Sequence, residues 1–407
     1  MQAVVWHGIG DIRQEEVPEP KIRNDTDAIV RMTSSAICGT DLHFVRGTMP
    51  GMKEGTILGH EAVGVVEETG KNVRNLEPGD RVVIPSTIAC DACFQCRMGL
   101  YDQCDVANPN GPLYGSTFYG GTQTMGAIDG LQAEYARIPF ANVGPVKLPE
   151  EVSDDQAVMC SDIFPTGYFG ADLANIEPGN SVAVFGCGPV GLFCIVSAGL
   201  FDAGQIIAVD KVESRLAAAR RLGAATINFE EEHPIEAIRE LTRGYGVDRV
   251  IEAVGVDAVA PTTGPAAEDE ESAARHREQV RMVTAPDASE PGERWAPGDA
   301  PGQGIEWSVA AVRKSGTVSS IAVYPPTADL LPFGQAWNKN LSINLGNTHH
   351  RRYLPRLIGL TRAGAVDPAS VLSQRLPFDD VMNAYESFNQ REEGWVKVEL
   401  ALGNGSR

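Results

Sequence analysis

The sequence predicts an α/β plus β architecture, with a small barrel-like β domain followed by a doubly wound parallel-sheet domain. Its length of 407 residues exceeds what a single hydrophobic core usually serves. Up to about residue 164, short Val- and Ile-rich runs alternate with turn signals, which is typical of a small β-barrel. From 165 to 345, apolar strand-like runs alternate with helical stretches, which predicts parallel strands covered by helices.

Individual elements follow from the same patterns. The β domain is marked by runs at 28–30, 62–66 and 81–84, the last preceded by the turn signal Pro78-Gly79-Asp80. In the second domain, strands are predicted at 181–185, 206–210, 225–228, 249–253, 316–321 and 341–345, and a helix at 213–222. A helix at 353–363 and a closing strand at 395–400 follow.

One segment, residues 259–304, interrupts the alternation. It is rich in Pro, Gly, Ala and charge, with an acidic peak at Glu268–Glu271. We expect a solvated surface insertion rather than a functional lid, with a short helix over 272–283.

Composition and charge exclude several classes of function. Hydrophobic content of 43% and charged content of 22% are values of folded globular proteins. A net charge of −20 repels phosphate backbones and anionic lipids, so we expect neither nucleic-acid nor membrane partners. The N-terminus lacks a signal-peptide pattern, and no apolar run reaches the roughly 18 residues of a membrane span. These features predict a cytoplasmic protein, in which eight cysteines indicate metal binding better than disulfides.

Four cysteines form the pattern C-x2-C-x2-C-x7-C, at Cys90, Cys93, Cys96 and Cys104. Such spacing lets neighbouring thiolates converge on one tetrahedral zinc ion, and four thiolates leave no position open for substrate. The pattern therefore predicts a structural zinc site. An iron–sulfur cluster is the alternative, because similar spacings hold those clusters.

A glycine-rich motif, Gly186-Cys187-Gly188-Pro189-Val190-Gly191, fits G-x-G-x-x-G and lies between an apolar strand and an apolar helix. In this context the first glycine makes a tight turn, the second admits a pyrophosphate and the third lets helix and strand pack closely. Asp210 ends the next strand, where a carboxylate accepts the ribose hydroxyls of NAD and disfavours the 2′-phosphate of NADP. Two basic residues nearby soften this preference, Lys211 and Arg215.

Two further motifs lie early in the β domain, Cys38-Gly39-Thr40-Asp41-Leu42-His43 and Gly59-His60-Glu61. Alone, either would more often be structural. Together with the cysteine quartet and the nucleotide motif, in this order, they resemble the zinc-dependent medium-chain alcohol dehydrogenase family over essentially the full length. The resemblance implies a GroES-like catalytic domain, residues 1–164 completed by 346–407, and a Rossmann NAD-binding domain, residues 165–345.

By this resemblance, Cys38 and His60 are ligands of a catalytic zinc ion. The third ligand comes from a segment similar to Cys160–Tyr168, and aligning Thr166-Gly167-Tyr168 places it at Asp162. Cys160 lies nearby but out of register. An aspartate at this position resembles the glutathione-independent formaldehyde dehydrogenase branch, which implies a small primary alcohol or aldehyde substrate and NAD.

The resemblance also implies roles for neighbouring residues. Thr40 would take the hydroxyl proton and pass it, through the cofactor ribose, to His43 at the surface. Asp41 would fix the His60 ring. Glu61 would either approach the zinc or serve as an ion-pair carboxylate. Lys397 either contacts the pyrophosphate or is a surface lysine.

Other readings of the same motifs stay open. A formaldehyde dismutase with tightly held NAD has the same fold, and a non-catalytic zinc- and nucleotide-binding protein is a rival of another class. The substrate is not fixed by the candidate pocket residues Thr48, Met49, Phe94, Phe118, Tyr119 and Phe164. Relatives in this family form homodimers or homotetramers through edge strands of the nucleotide sheet, so one of these is expected.

Overall fold

The computed structural model describes residues 1–289 and 293–403. The chain forms two units, one built from Met1–Val45, Gly51–Pro165 and the segment from Asn347 onward, the other from Arg46–Pro50 and Thr166–Gly346. The β and α/β classes predicted for them are confirmed.

The N-terminal part of unit 1 is dominated by short strands. They are β1 (Gln2–Gly8), β2 (Asp11–Glu16), β3 (Ala28–Ile37), β4 (Thr56–Ile57), β5 (Ala62–Thr69), β6 (Arg81–Ile84), β7 (Tyr135–Ile138) and β8 (Val146–Lys147). The helices of this part are α1 (Gly39–Arg46), α2 (Phe94–Arg97) and α3 (Asp154–Ser161). The long strand β3 pairs antiparallel with both β5 and β7, and most of its residues are buried. Its last residue, Ile37, therefore lies in the interior of the unit.

Unit 2 is an open sheet in which every pairing between neighbouring strands is parallel. Its strands are β9 (Ser181–Phe185), β10 (Gln205–Asp210), β11 (Ala225–Asn228), β12 (Val247–Glu252), β13 (Val312–Ser320) and β14 (Ser342–Leu345). Its helices are α4 (Ile163–Leu173), α5 (Pro189–Leu200), α6 (Glu213–Arg221), α7 (Pro234–Leu241), α8 (Glu270–Val283), α9 (Gln303–Ala311) and α10 (Phe333–Asn338). The strand order β11-β10-β9-β12-β13-β14 reverses direction between β9 and β12, and ligands bind at such switch points in doubly wound sheets.

After unit 2 the chain returns to complete unit 1. The returning elements are α11 (His350–Arg362), β15 (Gln374–Pro377), α12 (Val381–Asn389) and β16 (Val398–Ala401). Strand β16 pairs antiparallel with β3, which sets Val398 opposite Ile37. The sequence prediction placed the closing strand at 395–400, so its N-terminal three residues precede the observed strand.

The insertion at 259–304 contributes buried side chains to unit 2. Residues 290–292 of it lie outside the described part of the chain. Its helix α8 is capped by Asp269, which accepts a hydrogen bond from the backbone N–H of Ser272. The acidic residues Glu268–Glu271 are exposed, as expected. However, Val283 joins the apolar core of unit 2 and Trp295 is buried, so the expectation of a solvated insertion holds for only part of the segment. Apolar side chains at helical spacing within a charged background explain the difference.

Residues 46–50 pack with unit 2, although the sequence places them within the first domain. The guanidinium of Arg46 is ion-paired with Asp257, and the carbonyl of Gly47 accepts a hydrogen bond from the N–H of Ala285. These contacts attach the segment to the α/β unit. Among the described residues, no helix is long and apolar enough to cross a membrane.

Candidate active site

Four potential metal ligands converge in unit 1, at Cys38, His60, Glu61 and Asp162. One ligand atom from each lies within 4.8 Å of every other, and all four residues are buried. Cys38 follows β3 directly, His60 and Glu61 immediately precede β5, and Asp162 caps the C-terminus of α3 with a non-helical backbone. Asp162 Oδ2 lies 3.8 Å from Cys38 Sγ and 3.7 Å from His60 Nε2. Asp162, rather than Cys160, thus completes the group.

The chemistry of this group fits a zinc ion. His60 is completely buried, yet its Nε2 has no hydrogen-bond partner among the described residues. An orphaned buried imidazole nitrogen facing a thiol and a carboxylate is what a metal ligand requires, because the metal supplies the missing partner. Cys38, His60 and Asp162 would hold the ion, with Glu61 within reach.

Electrostatics within the group are strongly coupled. Burial raises the pKa of the Cys38 thiol. Burial alone would lower the pKa of His60, but the charges of Asp41 and Cys38 outweigh it and raise that pKa well above its ordinary value. Burial also opposes ionisation of Asp162, yet hydrogen bonds from His350 and Ser86 and the charge of His60 lower its pKa. The site therefore favours an ionised carboxylate at Asp162.

The orientation of the His60 ring is fixed by contacts on its Nδ1 side. Its Nδ1 lies 3.1 Å from Asp41 Oδ1, and both side chains are fully buried. Asp41 Oδ2 accepts hydrogen bonds from the N–H of Cys38 and from Gln132 Nε2, at 3.0 and 3.3 Å. The hydroxyl of Tyr385 donates to Gln132 Oε1 at 2.7 Å. This series of contacts fixes the orientation of His60 toward the other ligands.

Glu61 is ion-paired through Oε2 with the ammonium group of Lys397, which also donates to the carbonyl of Ile37 at 3.0 Å. Oε1 of Glu61 is buried and has no hydrogen-bond partner in the part of the chain that the structure describes. Glu61 thus forms the ion pair considered for it, and one of its carboxylate oxygens also lies within 4.8 Å of the other three ligand atoms. Lys397 is completely buried, so the alternative of a surface lysine is wrong.

The two residues of the expected proton path lie on α1. Thr40 Oγ1 is 3.7 Å from Cys38 Sγ, and Thr40 is half-buried. His43 is only 4% exposed, so the expectation that it lies at the surface is wrong in this structure. Because positions i and i+3 share a helix face, Thr40 and His43 point to the same side of α1.

The candidate pocket residues divide into separate groups. The Phe118 ring lies against the His60 ring, with centroids 4.5 Å apart, and Tyr119 and Phe164 are buried in the same unit. Phe94 is 70% exposed on α2 between two cysteines of the quartet, so the structure places it in another part of unit 1. Thr48 and Met49 are buried in the short segment that belongs to unit 2.

The cysteine quartet also converges, with one sulfur from each of Cys90, Cys93, Cys96 and Cys104 within 4.8 Å of the others. All eight cysteines of the chain are free thiols. Backbone N–H groups donate to the sulfurs of the quartet at 3.3–3.5 Å, as they do to thiolates. Burial opposes ionisation of Cys93, but the N–H groups of Cys96 and Asp105 prevail and lower its pKa to about 7. This donor set fits a closed tetrahedral zinc site.

The glycine-rich motif forms the turn between β9 and α5. Gly186 adopts φ +88°, which other residues rarely accept, and a Cβ on Gly191 would lie 1.8 Å from the carbonyl oxygen of Gly186. By contrast, a Cβ on Gly188 would meet nothing within 4 Å. Pro189 and Val190 open α5. The turn thus leaves open space at the middle glycine and at a helix N-terminus, which fits a pyrophosphate.

Asp210 ends β10 beside this turn and is buried. One carboxylate oxygen accepts from the N–H of Cys187 at 2.7 Å, and the other from the N–H groups of Lys211 and Val212 at 2.7 and 2.9 Å. Lys211 Nζ forms an ion pair with Glu230 at 3.1 Å. Arg215 lies on α6, the following helix.

Some residues of the site carry no sequence motif. Ser86 and His350 both donate to Asp162, at 2.7 and 2.6 Å, although they are 76 and 188 positions away in sequence. Gln132 and Tyr385 contribute from similarly distant segments. The nearest signal is the His349-His350 pair, which is conspicuous in a chain with only seven histidines.

Comparisons with known proteins agree with this geometry. A family model described as the alcohol dehydrogenase GroES-like domain matches residues 24–150, and one described as zinc-binding dehydrogenase matches residues 189–263. A zinc-type alcohol dehydrogenase-like protein of Bacillus subtilis is 36% identical over 98% of this chain and 100% of its own. A glutathione-independent formaldehyde dehydrogenase of Pseudomonas aeruginosa is 31% identical over 95% of this chain and 94% of its own.

Among solved structures, an alcohol dehydrogenase from Thermus sp. ATN1 superposes with a TM-score of 0.79 at 32% identity, covering 98% of this chain and 99% of that one. The relatives span the whole chain, both metal-ligand groups are assembled, and the nucleotide turn is formed. Zinc and NAD are therefore the cofactors, and the chain belongs to the zinc-type alcohol dehydrogenase family of oxidoreductases.

Proposed function

We propose that this enzyme transfers a hydride between NAD and a small primary alcohol or aldehyde, of formaldehyde type, at a zinc site that Cys38, His60 and Asp162 would hold. The observation that carries the proposal is the convergence of these ligand atoms, with a carboxylate as the third ligand. The similarity to a formaldehyde dehydrogenase of Pseudomonas aeruginosa supports the substrate class. The chemistry that zinc supplies when bound is Lewis-acid polarisation of the substrate oxygen.

The chain's own residues supply the proton path. Thr40 lies beside Cys38, and its hydroxyl accepts the proton that the alcohol loses. His43, on the same face of α1, would take up this proton. NAD, when bound, would supply the hydride acceptor, so that alcohol and NAD⁺ would give aldehyde, NADH and a proton.

We also propose that the enzyme prefers NAD to NADP. The carboxylate of Asp210 stands at the end of β10, where it accepts ribose hydroxyls and repels a 2′-phosphate. Lys211, the nearest cation in sequence, is engaged by Glu230 instead of being available to a phosphate. The carboxylate of Asp210 and the pairing of Lys211 with Glu230 both disfavour binding of the 2′-phosphate of NADP.

The oligomer we propose is a homodimer or homotetramer joined through the edge of the unit 2 sheet. Strand β14 is an edge strand, and its Leu345 is 61% exposed. On the neighbouring α10, Phe333 and Trp337 are 69% and 70% exposed. An exposed edge with large apolar side chains favours association. Light scattering on the purified protein tests this, and a monomer would contradict it.

The decisive experiment is an NAD-reduction assay of the zinc-loaded enzyme with formaldehyde, short alcohols and diols, with and without glutathione. We expect NAD reduction with formaldehyde without added glutathione, because the hydrate of formaldehyde carries the hydroxyl and the hydride that are lost and gives formic acid. Absence of turnover on every substrate would overturn the proposal. Equal yields of methanol and formate without added NAD, together with copurifying NAD, would identify a dismutase instead.

A further inference from the structure

The two carboxylate oxygens of Asp162 have different neighbours. Oδ2 faces the ligand group, 3.7 Å from His60 Nε2 and 3.8 Å from Cys38 Sγ. Oδ1 accepts hydrogen bonds from Ser86 Oγ at 2.7 Å and from His350 Nε2 at 2.6 Å. Two donors on Oδ1 fix the plane of the carboxylate, and they leave Oδ2 as the oxygen presented to a metal.

The neighbours of His350 select one tautomer of its ring. An ionised carboxylate only accepts hydrogen bonds, so Nε2 must carry the proton that it donates to Asp162. In the neutral ring Nδ1 is then an acceptor, and the hydroxyl of Thr87 lies 3.2 Å away to donate to it. His350 is 3% exposed and Thr87 6%, so solvent competes little for either bond.

The position of His350 in the chain gives this contact a structural role. Asp162 lies between α3 and α4, shortly before the chain leaves unit 1, and His350 begins α11, shortly after it returns. Helix α11 packs against α3 within unit 1. The hydrogen bond therefore anchors a ligand that sits at a helix end, where backbone geometry alone holds it weakly.

We propose that His350, supported by Thr87, is a positioning residue for the catalytic zinc site. It orients Asp162 so that Oδ2 alone binds the ion. This inference rests on the proposed function, because it takes Asp162 as a zinc ligand. Outer partners of metal ligands typically contribute about 10- to 100-fold in metal affinity.

The test measures zinc per chain by mass spectrometry during titration with the chelator dipicolinate, in the wild type and in His350→Ala, His350→Gln and Thr87→Val. We expect His350→Ala to release one zinc ion at chelator concentrations about 10- to 100-fold lower than the wild type. The glutamine variant replaces the Nε2 donor with an amide N–H and recovers most of this loss. Thr87→Val, which retains the ring, gives a smaller shift.

Two controls identify the ion and the cause. Cys38→Ala must lose the same easily released zinc, while the other ion stays in the cysteine quartet. His276→Gln, which removes a buried histidine from its 2.7 Å contact with Glu268 in unit 2, must leave both release curves unchanged.

The outcomes distinguish failure of the positioning role of His350 from failure of the proposed function. Wild-type release curves in all three variants would overturn the role of His350, with the proposed function intact. Equal losses in His350→Ala and His350→Gln would also overturn it, because they indicate a packing role rather than a donor. If His350→Ala fails to fold, the glutamine and Thr87→Val variants decide. A wild type that holds only the quartet zinc would instead overturn the proposed function.

Discussion

The ammonium group of Lys397 and the carboxylate of Glu61 form an ion pair in which both side chains are completely withdrawn from solvent. Burial raises the pKa of Glu61, while the pair with Glu61 outweighs burial and raises the pKa of Lys397. Removing one partner of such a pair leaves a buried charge without compensation. The pair links the closing segment of the chain to the residue next to His60.

Replacing Lys397 by methionine is therefore expected to destabilise the protein by about 3–5 kcal/mol. The double variant Lys397→Met with Glu61→Gln should recover much of the loss, because no unpaired charge remains. Urea unfolding followed by circular dichroism measures both. The control is Arg362→Met, which breaks the exposed pair with Glu151 and should cost about 0–1 kcal/mol. Equal effects at the two positions would refute the argument from burial.

Asp162 and Cys160 make a matched pair for identifying the third zinc ligand. Burial raises the pKa of Cys160 to about 12, and its sulfur lies 3.8 Å from the hydroxyl of Thr361 rather than in the ligand group. We expect Asp162→Ala to lose one zinc ion per chain and alcohol oxidation to fall at least about 100-fold. Cys160→Ser should keep both ions and most activity. Zinc loss in the cysteine variant instead would identify Cys160 as the ligand.

Removing a cysteine from the quartet should lower the stability of the fold without removing the zinc ion of the Cys38, His60 and Asp162 group. In Cys104→Ser we expect loss of the quartet zinc and a lower melting temperature, because a structural zinc ion contributes directly to folding. The Cys38, His60 and Asp162 group should still bind its ion, since none of its ligands comes from the quartet. Metal analysis and thermal denaturation check this. A variant that retains two zinc ions and full heat stability would disprove a structural zinc site here.

Features encoded by short-range spacing were predictable from sequence. The quartet spans fifteen positions and the glycine motif six, so local geometry alone brings their functional atoms together. Alternating apolar runs likewise predicted the parallel sheet of unit 2, because both faces of its central strands are buried. The assignment of Asp162 depended on a family resemblance, since a lone aspartate carries no signal of its own.

Features that depend on tertiary contacts were not predictable. Nothing in the local sequence of Ser86 or His350 shows that both meet Asp162, because three distant segments must fold before the contact exists. Charged side chains are usually exposed, so a surface position was one of the two alternatives for Lys397. The pairing of β16 with β3 instead places Lys397 beside Glu61. His43 is buried for a similar reason.

Asp210 is the residue expected to set cofactor preference. In Asp210→Ala, loss of the carboxylate removes the acceptor for the ribose hydroxyls and the repulsion of a 2′-phosphate. We expect weaker NAD binding by about 10- to 100-fold, the range for a lost hydrogen bond to a charged group, and a smaller discrimination against NADP. Fluorescence titration with both reduced cofactors measures this. Glu213→Gln, which removes an exposed carboxylate on α6, should leave the ratio unchanged.

Glu230 predicts a pH dependence of stability that can be measured away from the zinc sites. Burial opposes its ionisation, but the N–H groups of Thr262 and Thr263, the Thr263 hydroxyl and Lys211 prevail and lower its pKa from 4.5 to about 2. Because the folded state holds the proton less tightly than the unfolded state, this carboxylate stabilises the fold above about pH 4.5. The contribution disappears as the pH falls from about 4.5 to about 2.

We therefore expect Glu230→Gln to be less stable than the wild type near pH 7, by on the order of 1–2 kcal/mol after allowance for solvent screening. The difference should remain constant down to about pH 5 and shrink at lower pH, as the wild-type carboxylate takes up its proton. Urea-unfolding midpoints of both proteins at a series of pH values measure it. Glu232→Gln, at an exposed position nearby, should change the midpoint little. A difference that grows on acidification would have the wrong sign and would rule out the proposed role of this carboxylate.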